Sequence, residues 1–161
     1  MKKFLLQTDN SYSPLAIRFA AALVLFPHGA QKALGWFNGY GFEGTMNFFT
    51  QTVHIPYPIG LLVIIIEFFG PLFLLAGFAT RFWAFLIIPL MIGIIFTSHI
   101  QNGFFMNWFG NQPGEGIEFD LLYITLAISL VITGSGRFSV DRWLWKFYQR
   151  RPINSELLQA A

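Results

Sequence analysis

Residues 57–78 read YPIGLLVIIIEFFGPLFLLAGF, an apolar run interrupted by a single charge, Glu67. Wound as an α-helix, with a rise of about 1.5 Å per residue, this stretch is long enough to cross the roughly 30 Å hydrocarbon core of a bilayer. Buried strands and core helices of soluble proteins are shorter. The same reading extends in both directions. Arg18 and Lys32 enclose thirteen residues without a formal charge, and Glu43 and Glu67 enclose twenty-three. Arg81 and Glu115 enclose thirty-three, and Asp120 and Arg137 sixteen. The expected fold is therefore all-α, an integral membrane antiparallel four-helix bundle in one domain, with spans at residues 14–34, 57–78, 82–100 and 117–134. A basic interfacial tail over 135–161 follows.

Composition agrees. Charged residues make up 11 % of 161, against about 25 % in soluble domains. A hydrophobic share of 55 %, with twenty phenylalanines, excludes a disordered chain and disfavours a soluble globule. The absence of cysteine excludes disulfides, thiolate metal sites and iron–sulfur clusters held by the chain's own thiolates. The first span could be mistaken for a signal peptide. However, residues 9–13 are polar, and no small-x-small cleavage site follows Phe26.

An even number of spans puts both termini on one side. Lys2, Lys3, Arg81, Arg137, Arg142, Lys146, Arg150 and Arg151 share that side, with Arg18 at its edge, while Lys32 alone lies opposite. The positive-inside rule makes the crowded side cytoplasmic, so the expected location is a bacterial inner membrane, N-in and C-in. The link at residues 79–81 makes spans two and three antiparallel neighbours. Residues 44–53 read as a short interfacial helix and 101–116 as a turning loop. Residues 139–148 read as an amphipathic interfacial helix with Trp143, Trp145 and Phe147 toward lipid. The basic tail is an anionic-lipid contact rather than a nucleic-acid patch, and no nucleic-acid partner is expected. Gly39–Gly44 matches G-x-G-x-x-G, but it lies between two spans rather than in a βαβ unit and reads as an external turn.

Ionisable residues inside a span are costly unless paired, so each is a functional candidate. Arg18, His28 and Lys32 fall on one stripe of span one with Ala21 and Leu25, flanked by Ala22 and Gly29. Small side chains let helices approach closely, so the stripe should face the bundle. Pro27 should kink the helix locally. Glu67 lies near the midplane on a face shared by Gly60, Gly70, Pro71 and Leu74. Its expected partner is Arg18, with His28 second. In span four, Glu118 shares a face with Thr125 and Ser129 and is read as pointing inward. Asp120 is read as pointing to headgroups or loop water. His28, Lys32, His99 and Glu118 would then converge in the outer third of the membrane above Glu67. Such a polar pocket suits a small polar or quinone-like ligand, with His28, Glu67 and His99 as proton-relay candidates. A metal on His28, His99 and Glu118 has no H-x-x-x-H or E-x-x-H spacing behind it, and a haem on His28 and His99 has no motif. The alternative is that these polar residues only fix helix register.

The order and spacing of several pieces resemble the DoxX family of small four-span membrane proteins. They are Arg18 with 26–32 (FPHGAQK), the glycine-rich loop 35–44, Glu67 with Gly70 and 75–81 (LAGFATR), His99 with 102–105 (NGFF), 114–118 (GEGIE), and 134–141 (GSGRFSVD). The resemblance implies a four-helix membrane bundle and a place in a membrane redox or detoxification assembly, since the family is named for a subunit of a thiosulfate:quinone oxidoreductase. Arg18, His28, Lys32, Glu67, His99 and Glu118 fall on the family's recurring polar positions. The expectation is a subunit or accessory of a quinone-linked membrane oxidoreductase, working with a partner subunit and open to a homodimer. The alternatives are a non-catalytic scaffold or assembly protein, and a small-molecule transporter.

Overall fold

A computed structural model gives the architecture and describes residues 6–8 and 10–149. Lys2, Lys3, Arg150, Arg151 and the rest of the tail lie outside the described residues. Helix α1 spans Ser13–Leu34, and α2 spans Gly41–Asn47 before passing into a π-helical turn at Phe48–Thr52. Helix α3 spans Tyr57–Ala76, with Pro58 in its first turn, where the missing N–H costs nothing. Helix α4 spans Thr80–Ile94 and continues through a π-helical turn at Ile95–His99 and a 3₁₀ turn at Ile100–Asn102. Helix α5 spans Glu118–Thr133 and α6 spans Val140–Gln149. No strand occurs among the described residues, which removes the βαβ context that G-x-G-x-x-G would need.

Among the described residues, three helical segments are long and apolar enough to cross a membrane: Ser13–Leu34, Tyr57–Ala76 and Thr80–Asn102. The segment expected to be the fourth span forms a helix of 16 residues, about 24 Å long. It is shorter because Ile117 stays outside, its N–H bonded to the Gly103 carbonyl, while Gly134 ends the helix at φ 78°. Helix α1 packs along α3, α3 along α4 and α4 along α5, with α5 also touching α1. The shared core holds Ala21, Ala22 and Leu25 of α1, Leu74 of α3, Ile87 and Met91 of α4, and Tyr123, Ala127 and Leu130 of α5. Large apolar side chains also point outward, among them Leu23, Phe69, Phe85, Phe96, Leu122 and Ile132. An apolar exterior around a tightly packed interior is what a lipid solvent allows and water opposes.

The closest helix approach is at Gly29. A Cβ there would lie 2.1 Å from the Glu67 carbonyl oxygen and 2.6 Å from the Phe68 Cα. Only glycine permits this crossing, and it sets α1 against the middle of α3. The helix continues through Pro27 without a break.

At the opposite end from the α1–α3 loop, charged side chains satisfy helix termini that would otherwise leave bare backbone groups. Arg18, completely buried, donates to the Leu74 carbonyl at 3.0 Å and the Leu75 carbonyl at 2.5 Å, at the end of α3. It also donates to the carbonyls of Arg137 at 3.3 Å and Phe138 at 2.6 Å. Gly77, at φ 63°, leaves room for this guanidinium, because a Cβ would sit 2.8 Å from its Nη1. Asp141 accepts the N–H groups of Ala79 at 2.7 Å and Thr80 at 3.0 Å, capping α4 from a distant part of the chain. Burial pushes the Asp141 carboxyl above the usual carboxylate range, opposed by those bonds and by Arg81. Arg81 donates to the carbonyls of Val131 at 2.8 Å and Ile132 at 3.0 Å, at the end of α5. Helix α6 exposes Trp143 and Phe147, stacked on each other. Trp145 differs: it is half-buried and stacks on Tyr148.

A branched side chain at the crossing should be expelled and the helices forced apart. Gly29→Val is expected to lose about 3 kcal/mol or more, the upper range for overpacking, in detergent-denaturant unfolding. Gly93 of α4, whose Cβ would meet nothing within 4 Å, is the contrast. Gly93→Ala should leave stability unchanged or raise it by up to about 1 kcal/mol.

Candidate functional site

The Gly29 crossing places Lys32, one turn further along α1, beside the buried carboxylate of α3. Lys32 Nζ donates to Glu67 Oε2 at 2.6 Å. Glu67 is 2 % exposed, whereas the Lys32 side chain keeps 25 % of its surface. The pair thus has one dry end and one accessible end. His28 and Tyr123 lie within electrostatic range of Glu67. The Tyr123 hydroxyl itself donates to the Ala21 carbonyl at 2.5 Å, joining α5 to α1.

The sequence-based pairing of Glu67 with Arg18 is corrected by this geometry. Lys32 lies fourteen positions after Arg18, about 21 Å along the helix. Arg18 therefore reaches the far end of α3, where the free carbonyls of its last turn take the guanidinium. His28, the second expected partner, lies on the exposed side of α1 and makes no hydrogen bond to Glu67.

Lys32 also lines a cleft of about 250 Å³ with Gln31, Thr45, Tyr40, Phe48 and Phe49. Phe48 and Phe49 enter from the π-helical turn after α2, and Thr45 from α2 itself. The loop closes over Gln31 at Gly39, where a Cβ would lie 2.4 Å from the Gln31 carbonyl oxygen. The cleft is ringed by aromatic carbon and has an ammonium in its wall.

A second pair lies across α4 and α5. His99 Nδ1 is 2.6 Å from Asp120 Oδ2, with Asp120 2 % exposed and the His99 side chain 24 % exposed. A π-helical turn carries His99, and such turns re-aim side chains out of the regular α-helical order. The expected roles of the two acids of α5 are reversed. Asp120 shares the buried face with Tyr123, Ala127 and Leu130. Glu118 instead accepts the Met106 N–H at 3.2 Å and holds the 103–117 loop. Thr125 had suggested an inward Glu118 face, but it is exposed, and its hydroxyl is satisfied by the Leu121 carbonyl of its own helix at 2.9 Å.

The convergence expected of His28, Lys32, His99 and Glu118 thus resolves into two separate ion pairs and a loop brace. His28, His99 and Glu118 do not gather, and no cluster of three or more His, Cys, Asp or Glu side chains able to hold a metal occurs among the described residues. Asp120 is the functional candidate that sequence reasoning misplaced. The aromatic cleft wall was missed. The signal for Asp120 was its three- and seven-residue spacing to Tyr123 and Ala127, both core residues of α5.

The fold and these pairs define a class. The DoxX family profile matches residues 13–100, more than half of the chain, so the chain belongs to the DoxX family of membrane proteins. Arg18, His28, Lys32, Glu67 and His99 lie inside the matched stretch, while Glu118, Asp120 and Asp141 follow it. The chain is also 29 % identical over 132 residues to a Bacillus subtilis (strain 168) protein named "Putative oxidoreductase CatD". That alignment covers 82 % of this chain and 87 % of the relative. No solved structure matches.

Removing the base alone from a buried pair strands a charge. Lys32→Met is therefore expected to destabilise the protein by about 3 kcal/mol, while the double variant Lys32→Met/Glu67→Leu recovers most of that loss. Denaturation in detergent measures both. A double variant whose loss equals the sum of those of Lys32→Met and Glu67→Leu alone would show that the pair is not coupled.

Proposed function

We propose that the chain is a four-span membrane protein with both termini cytoplasmic, acting as a membrane subunit or accessory of a quinone-linked oxidoreductase. In this reading α5 is the fourth span. Its outward side chains Leu121, Leu122, Ile128 and Ile132 are apolar and exposed, and no formal charge occurs between Asp120 and Arg137. A short span is accommodated by local thinning of the bilayer. The cationic residues then collect at the end that holds Arg81, Arg137, Arg142 and Lys146, which the positive-inside rule makes cytoplasmic. The Lys32–Glu67 pair and its cleft face the other side.

The observation that carries the functional reading is the Lys32–Glu67 pair opening onto an aromatic cleft. At about 250 Å³, the cleft is smaller than the usual 300–1,000 Å³ of drug-sized pockets, and it suits a single ring with its polyprenyl tail lying in lipid. Tyr40, Phe48 and Phe49 offer ring faces for stacking. Lys32 can donate to a quinone carbonyl, and Glu67 balances the ammonium from the dry side. Reduction of a quinone to a quinol takes two electrons and two protons. The ammonium is positioned to deliver a proton, with Glu67, His28 and the His99–Asp120 pair as relay candidates. With no cysteine in the chain, the electrons come from a partner oxidoreductase subunit. The name of the Bacillus subtilis relative supports the redox class.

The scaffold reading draws on the other end, where Arg18, Arg81 and Asp141 are all occupied in capping helices. Tryptophan fluorescence of the purified protein, titrated with a short-chain benzoquinone or naphthoquinone, separates the two. Saturable quenching is expected, weakened at least tenfold in Glu67→Gln and unchanged in Glu118→Gln. Absence of saturation, or an unaltered Glu67→Gln, would favour the scaffold.

A further inference from the structure

A second cleft, of about 440 Å³, lies at the start of α6, far from the Lys32 cleft. Its walls carry Arg137, Arg142 and Lys146 together with Asn10, Ser139 and Trp143. No acidic side chain lines it among the described residues. Arg142 and Lys146 are four residues apart and so form one ridge of α6. Trp143 and Phe147 form the neighbouring ridge, about 100° round the helix. Arg137 arrives from the loop after α5 and is held in place by stacking, with its guanidinium 4.7 Å from the Tyr12 ring centre and 5.5 Å from that of Phe138.

The cleft's position is fixed by the fold. The Asp141 N–H donates to the Gly77 carbonyl at 2.9 Å, and the Asp141 carboxylate caps α4. The first turn of α6 is thereby pinned to the junction of α3 and α4, the ends of two helices long enough to cross a membrane. Three cations consequently line one concavity beside the ends of these two helices, where the hydrocarbon of a bilayer spanned by them would give way to headgroups. Immediately beside it, Phe138, Trp143 and Phe147 are 70 %, 65 % and 57 % exposed. A site for a soluble anion needs the cations and has no use for the bare aromatic ridge. A phospholipid needs both, with phosphate between the guanidinium and ammonium groups and acyl chain along the rings.

We propose that this cleft is a specific site for the headgroup of an anionic phospholipid. The phosphate diester is held by Arg137, Arg142 and Lys146, and the acyl chains run along Trp143 and Phe147. The site is independent of the Lys32 cleft and of any redox role, and it rests only on the chain being a membrane protein.

Native mass spectrometry of the full-length protein in detergent tests it, with phosphatidylglycerol and phosphatidylcholine added separately. The wild type should retain at least one phosphatidylglycerol molecule with an affinity at least tenfold above phosphatidylcholine. Lys146→Gln, at an exposed position, should lower that preference about fivefold, the effect of one juxtamembrane charge. Arg142→Gln/Lys146→Gln should abolish it in protein that remains helical by circular dichroism. Trp143→Ala should weaken both lipids while sparing the headgroup preference. Equal retention of the two lipids by the wild type overturns the proposal. So does an undiminished preference in the double variant. A third arm adds inorganic phosphate and glycerol 3-phosphate. Displacement of phosphatidylglycerol by either at equal concentration would assign the cleft to a soluble phosphate and overturn the lipid site.

Discussion

The crossing of α1 over α3 at Gly29 is the constraint on which the site depends. A glycine in the middle of a helix is ordinarily a cost, and here it removes the only atom that would keep the Glu67 backbone away. Once the two helices touch, Lys32 is delivered one turn later to the height of the Glu67 side chain, and the ion pair forms at 2.6 Å. The loop after α1 then has little freedom. It folds back at Gly39 onto Gln31 and lays the α2 segment beside α3. The cleft beside Lys32 is thus a consequence of helix packing at one residue, extended by a short return of the chain.

The opposite end obeys a different requirement. Every helix end leaves backbone groups unpaired, and near a membrane those groups cannot count on water. Arg18, Asp141 and Arg81 meet this need at the ends of α3, α4 and α5 respectively. Arg18 and Asp141 also lie in each other's electrostatic field, so the two most deeply buried charges of that end compensate. Because Arg18 bonds both α3 and the loop at 137–138, and Asp141 bonds the α3–α4 junction, the segment that follows α5 is stitched into the bundle. This connection gives α6, and the basic cleft along it, a fixed height.

The helices were legible in the sequence because a spanning segment must be long, apolar and free of charge, and residues 57–78 satisfy all three conditions. The small-residue face of α3 was legible for a similar reason: Gly60, Gly70, Pro71 and Leu74 are buried with Glu67. Partner choice was not. Arg18 and Lys32 occupy the same stripe of α1, and deciding which meets Glu67 requires the vertical offset between two helices, which Gly29 sets and helical periodicity does not encode. The facing of α5 failed for another reason. Thr125 and Ser129 seemed to mark a polar face, yet a threonine can bond its own helix at the preceding turn and present only methyl and ring-free carbon to lipid. The π-helical turns at 48–52 and 95–99 also shift the register of Phe49 and His99, and a constant 100° per residue cannot anticipate them.

Exposure distinguishes what the buried charges can do. Arg18 and Asp141 are 0 % and 1 % exposed, and their partners are backbone groups that neither accept nor release protons. Such charges hold the fold and have no route to exchange. Lys32 and His99 have side chains one quarter exposed, and each is joined to a carboxylate that is almost fully buried. In both cases the accessible member is the base and the sheltered member is the acid. An incoming ligand or proton therefore meets the base first, and the buried carboxylate answers through a 2.6 Å contact. Two pairs built in the same polarity on different helices give the end bearing Lys32 and His99 ionisable groups within reach of the surroundings, whereas Arg18 and Asp141 at the other end are committed to helix termini.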